Sequence, residues 1–274
     1  MKLHFAKADP SGNTTVLILD EIDPARYTKI AAAVMSHTGV GAEQVGFVVP
    51  DPAQSAGCRL EMAGGEFCGN AARSFAAWVY LFRRERVKDW GADGPRLSIR
   101  ISGCDEELTV RLRDLGEENR CYGAVDMPKP QRILTGTDEW FGGYTLVVFQ
   151  GISHIILSGY APRAEDVEEA RRLLEQFGPL PDAFGLMYYE ESAGFLRPLV
   201  YVETGNTLVW ENSCGSGSSA LACALAAQEN RSLQGLVIRQ PGGELNVDVE
   251  WRDGVERLVL GGAVAFTAAG ELYV

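Results

Sequence analysis

The chain reads as an α/β (α+β) protein of two pseudo-symmetric halves, each a curved, barrel-like mixed sheet around a central apolar helix. Three observations predict this: a hairpin pattern that occurs twice, a Cys-Gly-led helix before each hairpin, and many short strand candidates around helices that lack a polar face. The hairpins are Leu97–Leu112 (LSIRISGCDEELTVRL) and Leu236–Trp251 (LVIRQPGGELNVDVEW). Each gives Leu-x-Ile-Arg, a Gly-containing turn and Glu-Leu-x-Val, with the alternation of half-buried strands. Before the first, Cys68-Gly69-Asn70-Ala71-Ala72-Arg73 runs into SFAAWVYLF; before the second, Cys214-Gly215-Ser216-Gly217-Ser218-Ser219 runs into ALACALAA. A helix that is apolar all round is buried rather than laid on a surface.

In chain order, strands are expected in the first half at Thr15–Leu19, Gln44–Val49, Arg59–Met62, Leu97–Ile101, Leu108–Leu112 and Gly123–Met127. In the second they are expected at Tyr144–Phe149, Ser153–Leu157, Leu186–Glu190, Leu199–Glu203, Gly235–Arg239, Leu245–Glu250 and Leu258–Ala265. Amphipathic helices at Pro24–Ser36 and Ala164–Phe177 cover the outside; the second opens on Glu165 and Asp166, acids that suit a helix N-terminus. The boundary is expected near Cys121. Residues 1–121, joined by 266–274, then make the half that holds Cys68, and residues 122–265 the half that holds Cys214.

The 274 residues are 46% hydrophobic and 23% charged, which excludes a disordered chain. With 37 acidic against 25 basic residues the formal net charge is −12, a field that repels phosphate backbones and anionic lipid. Neither nucleic acid nor a membrane is an expected partner. The apolar run Ser74–Phe82 is too short to span a bilayer, and Met1-Lys2-Leu3-His4-Phe5 carries no apolar export segment, so a cytoplasmic location is expected. Six cysteines are too few for a disulfide scaffold and form no CxxC pair, and His4, His37 and His154 are widely scattered; no metal site is expected.

Chemistry concentrates at Cys68 and Cys214. Each stands just before a helix start, where free backbone N–H groups and the helix dipole stabilise an anion and lower a thiol's pKa. Packed face to face, the two halves would give one cleft with two thiols. The N–H groups of Gly69, Asn70, Gly215 and Ser216 would hold an amino-acid carboxylate, with the Cα between the sulfurs. One thiolate removes the α-proton, the opposite thiol returns one to the other face, and the configuration inverts without a cofactor. The alternatives are a non-catalytic amino-acid-binding protein or a thiol-redox protein. For Cys58, Cys104, Cys121 and Cys223 the expected role is packing.

At these residues the chain resembles the diaminopimelate epimerase family, the cofactor-independent two-cysteine racemases. The matching pieces are Gly12-Asn13, His37-Thr-Gly-Val-Gly-Ala-Glu43-Gln44, Phe67-Cys68-Gly69-Asn70-Ala71-Ala72-Arg73, His154 after a strand, Tyr201-Val-Glu203, Cys214-Gly215-Ser216-Gly217 and Pro241-Gly242-Gly243. The resemblance spans essentially the whole chain and implies catalytic cysteines facing across a cleft between two α/β halves. It also implies Asn13, His154 and Glu203 as substrate-binding residues.

Departures from the pattern bear on substrate. Where the epimerase grips a distal carboxylate with asparagines and an arginine, this chain has Met62, Ile152, Ala183 and Thr204, and Val209-Trp210-Glu211-Asn212 lengthens the approach to Cys214. A second carboxylate without partners would be costly to bury, so diaminopimelate, the alternative substrate, fits poorly. Gly-Gly-Glu-Phe-Cys-Gly-Asn-Ala and Ala-Glu-Gln are similar to the histidine racemases of opine-metallophore (staphylopine-like) pathways. An imidazole suits carboxylates such as Glu43 and Asp9, while Glu66 and Glu211 are further acids near the site. No nucleotide-binding glycine motif and no lysine site for pyridoxal phosphate is present. No cofactor is expected; the expected partners are a small amino-acid substrate and a second copy of the chain in a homodimer.

Overall fold

The computed structural model describes residues 1–92, 94–203 and 206–274. The chain divides into two compact units: Met1–Met127 with Leu260–Val274, and Pro128–Val259. The division falls past Cys121 because strand Arg120–Asp126 runs unbroken and pairs along its length with Leu108–Glu117.

In the first unit, Lys2–Asp9 pairs antiparallel with Thr15–Ile18 on one side and with the end of Val255–Tyr273 on the other, from Lys2↔Tyr273 to Asp9↔Ala265. Thr15–Ile18 runs parallel to Gln44–Pro50, which turns back into Cys58–Met62. An antiparallel meander follows: Asp89–Gly91, Gly94–Ile99, Leu108–Glu117 and Arg120–Asp126. Helix α1 (Tyr27–Met35) lays Tyr27, Ile30, Ala31 and Val34 on Val16, Ile18, Val45 and Phe47, with the Tyr27 and Phe47 rings stacked. Helix α2 (Gly69–Phe82) packs against Arg120–Asp126 and is buried from Gly69 through Tyr80.

In the second unit, Arg132–Asp138, Gly142–Val148 and Ile152–Ser158 form an antiparallel run. Ile152–Ser158 lies parallel to Ala183–Glu190, which continues antiparallel through Phe195–Val202 to Thr207–Trp210. Leu233–Gln240 and Gly243–Trp251 close the repeated hairpin. Helix α3 (Asp166–Glu175) covers the outside with Ala170, Leu173 and Leu174, and helix α4 (Gly215–Glu229) is buried against Gly243–Trp251 and Ile152–Ser158. The elements are mixed α/β in two units, as expected, and the sheet is not closed. The strands at Lys2–Asp9, Asp89–Gly91, Arg132–Asp138 and Thr207–Trp210 were not anticipated. Three lack a strong apolar alternation, and Thr207–Trp210 is exposed along its whole length. Among the described residues no helix is long and apolar enough to cross a membrane.

Asp166 does more than sit at a helix start. It is fully buried and accepts hydrogen bonds from Trp140 Nε1, Tyr160 Oη, Tyr188 Oη and the Arg163 N–H, each at 2.8 Å. Burial alone would raise its pKa, but these four donors outweigh that and hold the carboxyl below its usual range. A carboxyl with a depressed folded-state pKa contributes stability above its unfolded value that is lost as pH falls through the folded one. Asp166→Ala should therefore cost about 3–5 kcal/mol in urea unfolding at pH 7, since it strands several buried donors. Asp166→Asn should also flatten the loss of stability below about pH 4; an unchanged acid limb would contradict this anchor.

Candidate active site

Helix α2 starts where Cys68 leaves the helical conformation. With φ −137° and ψ 115°, Cys68 is the N-cap, and its sulfur accepts the Ala71 N–H at 3.4 Å. The thiol in turn donates to Gln44 Oε1 at 2.9 Å. Gln44 is held in place by the preceding loop, for the N–H groups of Glu43 and Gln44 both donate to the Thr14 carbonyl, at 3.0 and 3.1 Å. Gly69 follows the cap in a tight space. A Cβ there would lie 2.7 Å from Met127 Sδ and 3.0 Å from a Leu260 methyl.

Helix α4 repeats the device. Cys214, with φ −112° and ψ 110°, is its N-cap and accepts the Gly217 N–H at 3.3 Å. Its own N–H donates to Gln240 Oε1 at 2.8 Å, while Gln240 Nε2 donates to Ser218 Oγ and Ser218 Oγ to the Cys214 carbonyl. This buried clamp fixes the residue on both sides of its Cα. A side chain at Gly217 would run into Met187 Sδ and come within 3.2 Å of the Cys214 sulfur, so the helix's third residue must be glycine.

The surroundings of Cys214 differ from the expectation of a low thiol pKa. Burial, then the charge of Glu211, push the Cys214 thiol well up, although Ser216 and the Gly217 N–H act the other way. Glu211 is within hydrogen-bonding reach of that sulfur. The Cys214 Sγ also lies 3.5 Å from Ser216 Oγ, which lies 3.0 Å from His154 Nε2. His154 is wholly buried, and burial takes its pKa down to about 3, so the ring is neutral at pH 7. Its Nδ1 has no partner among the described residues.

The other sequence-derived candidates are placed as follows. Asn70 is buried on the first turn of α2, where its Oδ1 accepts from the Arg73 guanidinium at 2.8 Å. Asn13 is buried, and its Oδ1 has no donor among the described residues. Asp9 Oδ1 accepts the Gly12 N–H at 2.5 Å, a turn-forming contact. Glu43 is half-buried beside Gln44. Glu203 is occupied by Arg171 of α3, at 2.7 Å, and is not drawn into the hydrogen bonds around Cys214. Thr204 lies outside the described residues. Gln44 lies inside the Glu43-Gln44 motif and Gln240 just before Pro241-Gly242-Gly243, yet the sequence assigns neither a role; the structure shows that they hold the two caps. A cavity of about 410 Å³ lined by Cys58, Trp78, Arg83 and Arg86 lies at the other end of α2, away from Cys68.

Residues 2–273 match the family model described as the histidine racemase CntK N-terminal domain. A histidine racemase from Fusobacterium nucleatum is 33% identical over 276 residues, covering 99% of this chain and 97% of that protein. A diaminopimelate epimerase from Xanthomonas axonopodis is 26% identical, covering 98% and 96%. Among solved structures, a predicted epimerase from Pseudomonas aeruginosa superposes with a TM-score of 0.70 at 16% identity, covering 99% of each chain.

The His154 environment makes a direct prediction. As pH falls below about 6.5 the unfolded chain takes up a proton on this imidazole, while the folded chain does not until about 3. Stability should decline across that interval, by about 1.4 kcal/mol per pH unit from this group. His154→Gln should flatten the decline in urea titrations between pH 6 and pH 4; an identical slope in the variant would contradict a buried neutral ring.

Proposed function

The chain belongs to the histidine racemase family, and from that premise we infer that it interconverts L- and D-histidine with Cys68 and Cys214 as the two acid–base groups. The family makes it an isomerase of the racemase class. The observation that carries the mechanism is the repeated cap: two thiols, one in each unit, each at an N-cap and each accepting the N–H of the helix's third residue. A sulfur in that position gains charge against a fixed N–H dipole, which favours the thiolate at the moment it forms.

On this reading the carboxylate of histidine is bound by backbone N–H groups at a helix start, the candidates being Gly69 and Asn70 of α2 and Gly215 and Ser216 of α4. One sulfur, as thiolate, takes the α-proton; the electron pair left on Cα is drawn into the carboxylate, where these N–H groups stabilise it. The other sulfur, as thiol, gives its proton to the opposite face. The product is the other enantiomer, and the enzyme ends with thiol and thiolate exchanged, ready for the reverse reaction. The reading requires both sulfurs to reach one Cα.

Histidine is favoured over diaminopimelate by the departures of this sequence from the epimerase pattern. Met62, Ile152 and Ala183 offer no cation for a distal carboxylate, whereas carboxylates such as Glu43 and Asp9 suit imidazole N–H groups. The product, D-histidine, would feed assembly of an opine-type metal chelator.

In D2O with reductant present, the purified chain should remove the α-proton NMR signal of L-histidine and leave that of diaminopimelate. Cys68→Ser and Cys214→Ser should each lower racemisation by about a thousandfold or more while leaving the circular dichroism unchanged. Exchange of diaminopimelate but not histidine would overturn the substrate, and full turnover by either variant would overturn the two-thiol scheme.

A further inference from the structure

The cavity at the far end of α2 lies wholly within the first unit, and no step of the racemisation uses it. It measures about 410 Å³ and lies between the end of Thr15–Ile18, the turn from Gln44–Pro50 into Cys58–Met62, and the last turn of α2. Leu19, Val48, Pro50, Ala56 and the Trp78 ring give it apolar walls. Small-molecule sites have this size and this lining, an apolar surface that carries a few fixed polar groups. Cys68 caps the opposite end of the same helix. Trp78 and Arg83 lie ten and fifteen residues further along the chain, about 15 and 22 Å along the helix axis, so one small ligand cannot touch both ends.

The polar groups of this cavity include two guanidiniums, each held on an uncharged platform. Arg83 is the C-cap of α2, where the carbonyl end of a helix favours a cation. Its guanidinium carbon lies 5.5 Å from the centre of the Trp78 ring. Its side chain makes no ion pair and no hydrogen bond among the described residues. Arg86, in the short turn Arg84–Arg86 that follows, lies against Gly57. A Cβ at Gly57 would come 3.1 Å from Arg86 Nη1, and the backbone there has φ +71°, so both the space and the turn call for glycine. The ion pair of Arg86, to its neighbour Glu85, is 4.0 Å long and exposed, and such a pair contributes little. The other acid of the lining, Glu21, is exposed and makes no ion pair among the described residues. Burial raises the pKa of the Cys58 thiol in the same lining, and Arg86 and Arg83 act against that rise.

We propose that this cavity is a second ligand site, distinct from the Cys68 cap, which takes a small carboxylate carried on an apolar or aromatic body. The carboxylate sits at Arg83 and Arg86, whose planar forks match its two oxygens, and the body rests on Leu19, Val48, Ala56 and Trp78. A carboxylate without a body forfeits the apolar contacts, and a neutral amide of the same shape gives the guanidiniums no anion. The Cys58 thiol, which donates to the Ala56 carbonyl at 3.5 Å, reports occupancy. A bound carboxylate shields the sulfur and, by neutralising the two guanidiniums, raises the thiol's pKa further. The site stands on the first unit alone and takes nothing from the racemase reading.

The test is alkylation of the reduced full chain by iodoacetamide at about pH 8.5, where a thiol begins to ionise, with each cysteine followed by peptide mass spectrometry. Phenylacetate at about 10 mM should slow Cys58 by about fivefold or more, as a dissociation constant of about 2 mM or tighter predicts. Cys104, half-buried in the same unit but outside the cavity, should keep its rate. Phenylacetamide and acetate at the same concentration should each protect Cys58 far less. Arg83→Gln and Arg86→Gln replace exposed side chains and should leave the circular dichroism unchanged. In each variant the ratio of Cys58 rates with and without phenylacetate should return close to one. Failure of phenylacetate to protect Cys58 would overturn the proposal, as would equal protection by phenylacetamide or protection that survives in folded Arg83→Gln. None of these readouts depends on histidine turnover, so the racemase reading stands or falls separately.

Discussion

The hydrogen bond from a helix's third N–H to a capping sulfur is the contact on which the rest depends. It determines where α2 and α4 begin, and it makes cysteine a structural cap as well as a reactive group. Small residues follow it, since a Cβ at Gly69 or Gly217 would press on Met127 and Leu260 or on Met187. Serine or aspartate would cap as well or better. Neither has a sulfur's capacity to exchange a proton with a carbon acid near neutrality.

Around that contact each unit supplies its own rigid frame. The first fixes Gln44 through Thr14 and sets it against the Cys68 thiol; the second locks Cys214 through Gln240 and Ser218. The frames resemble each other in topology and differ in charge, with a buried guanidinium behind one cap and a carboxylate at the other. Duplication thus accounts for the paired caps, and divergence of a few side chains for the different surroundings of the two thiols.

Much of this was legible in the sequence because it rests on local rules. The buried helices announced themselves by their lack of a polar face, the hairpins by repetition, and the caps by Cys-Gly before an apolar run. What was hidden depends on long-range partners. Glu203 matched a motif, yet Arg171 on α3 occupies it, a pairing that needs the fold to be seen. The raised pKa of Cys214 comes from burial and from Glu211, which outweigh the helix N-terminus that the sequence reading emphasised. Asp166 suits a helix start by sequence, but Trp140 and Tyr188, each more than twenty residues away, join the nearer Tyr160 in making it an anchor. The strand Lys2–Asp9 has a weak apolar alternation, and one of its two partners lies at the far end of the chain.

The central claim is that two sulfurs, on different helices, serve opposite faces of one carbon. It is tested most directly by converting L-histidine in D2O and measuring label in both enantiomers by mass spectrometry at the earliest times. Two separate bases predict D-histidine carrying one deuterium while the remaining L-histidine stays unlabelled, since the proton taken by one sulfur returns only to the face it left. Deuterium entering L-histidine as fast as D-histidine would mean a single group serves both faces, and the account would fail.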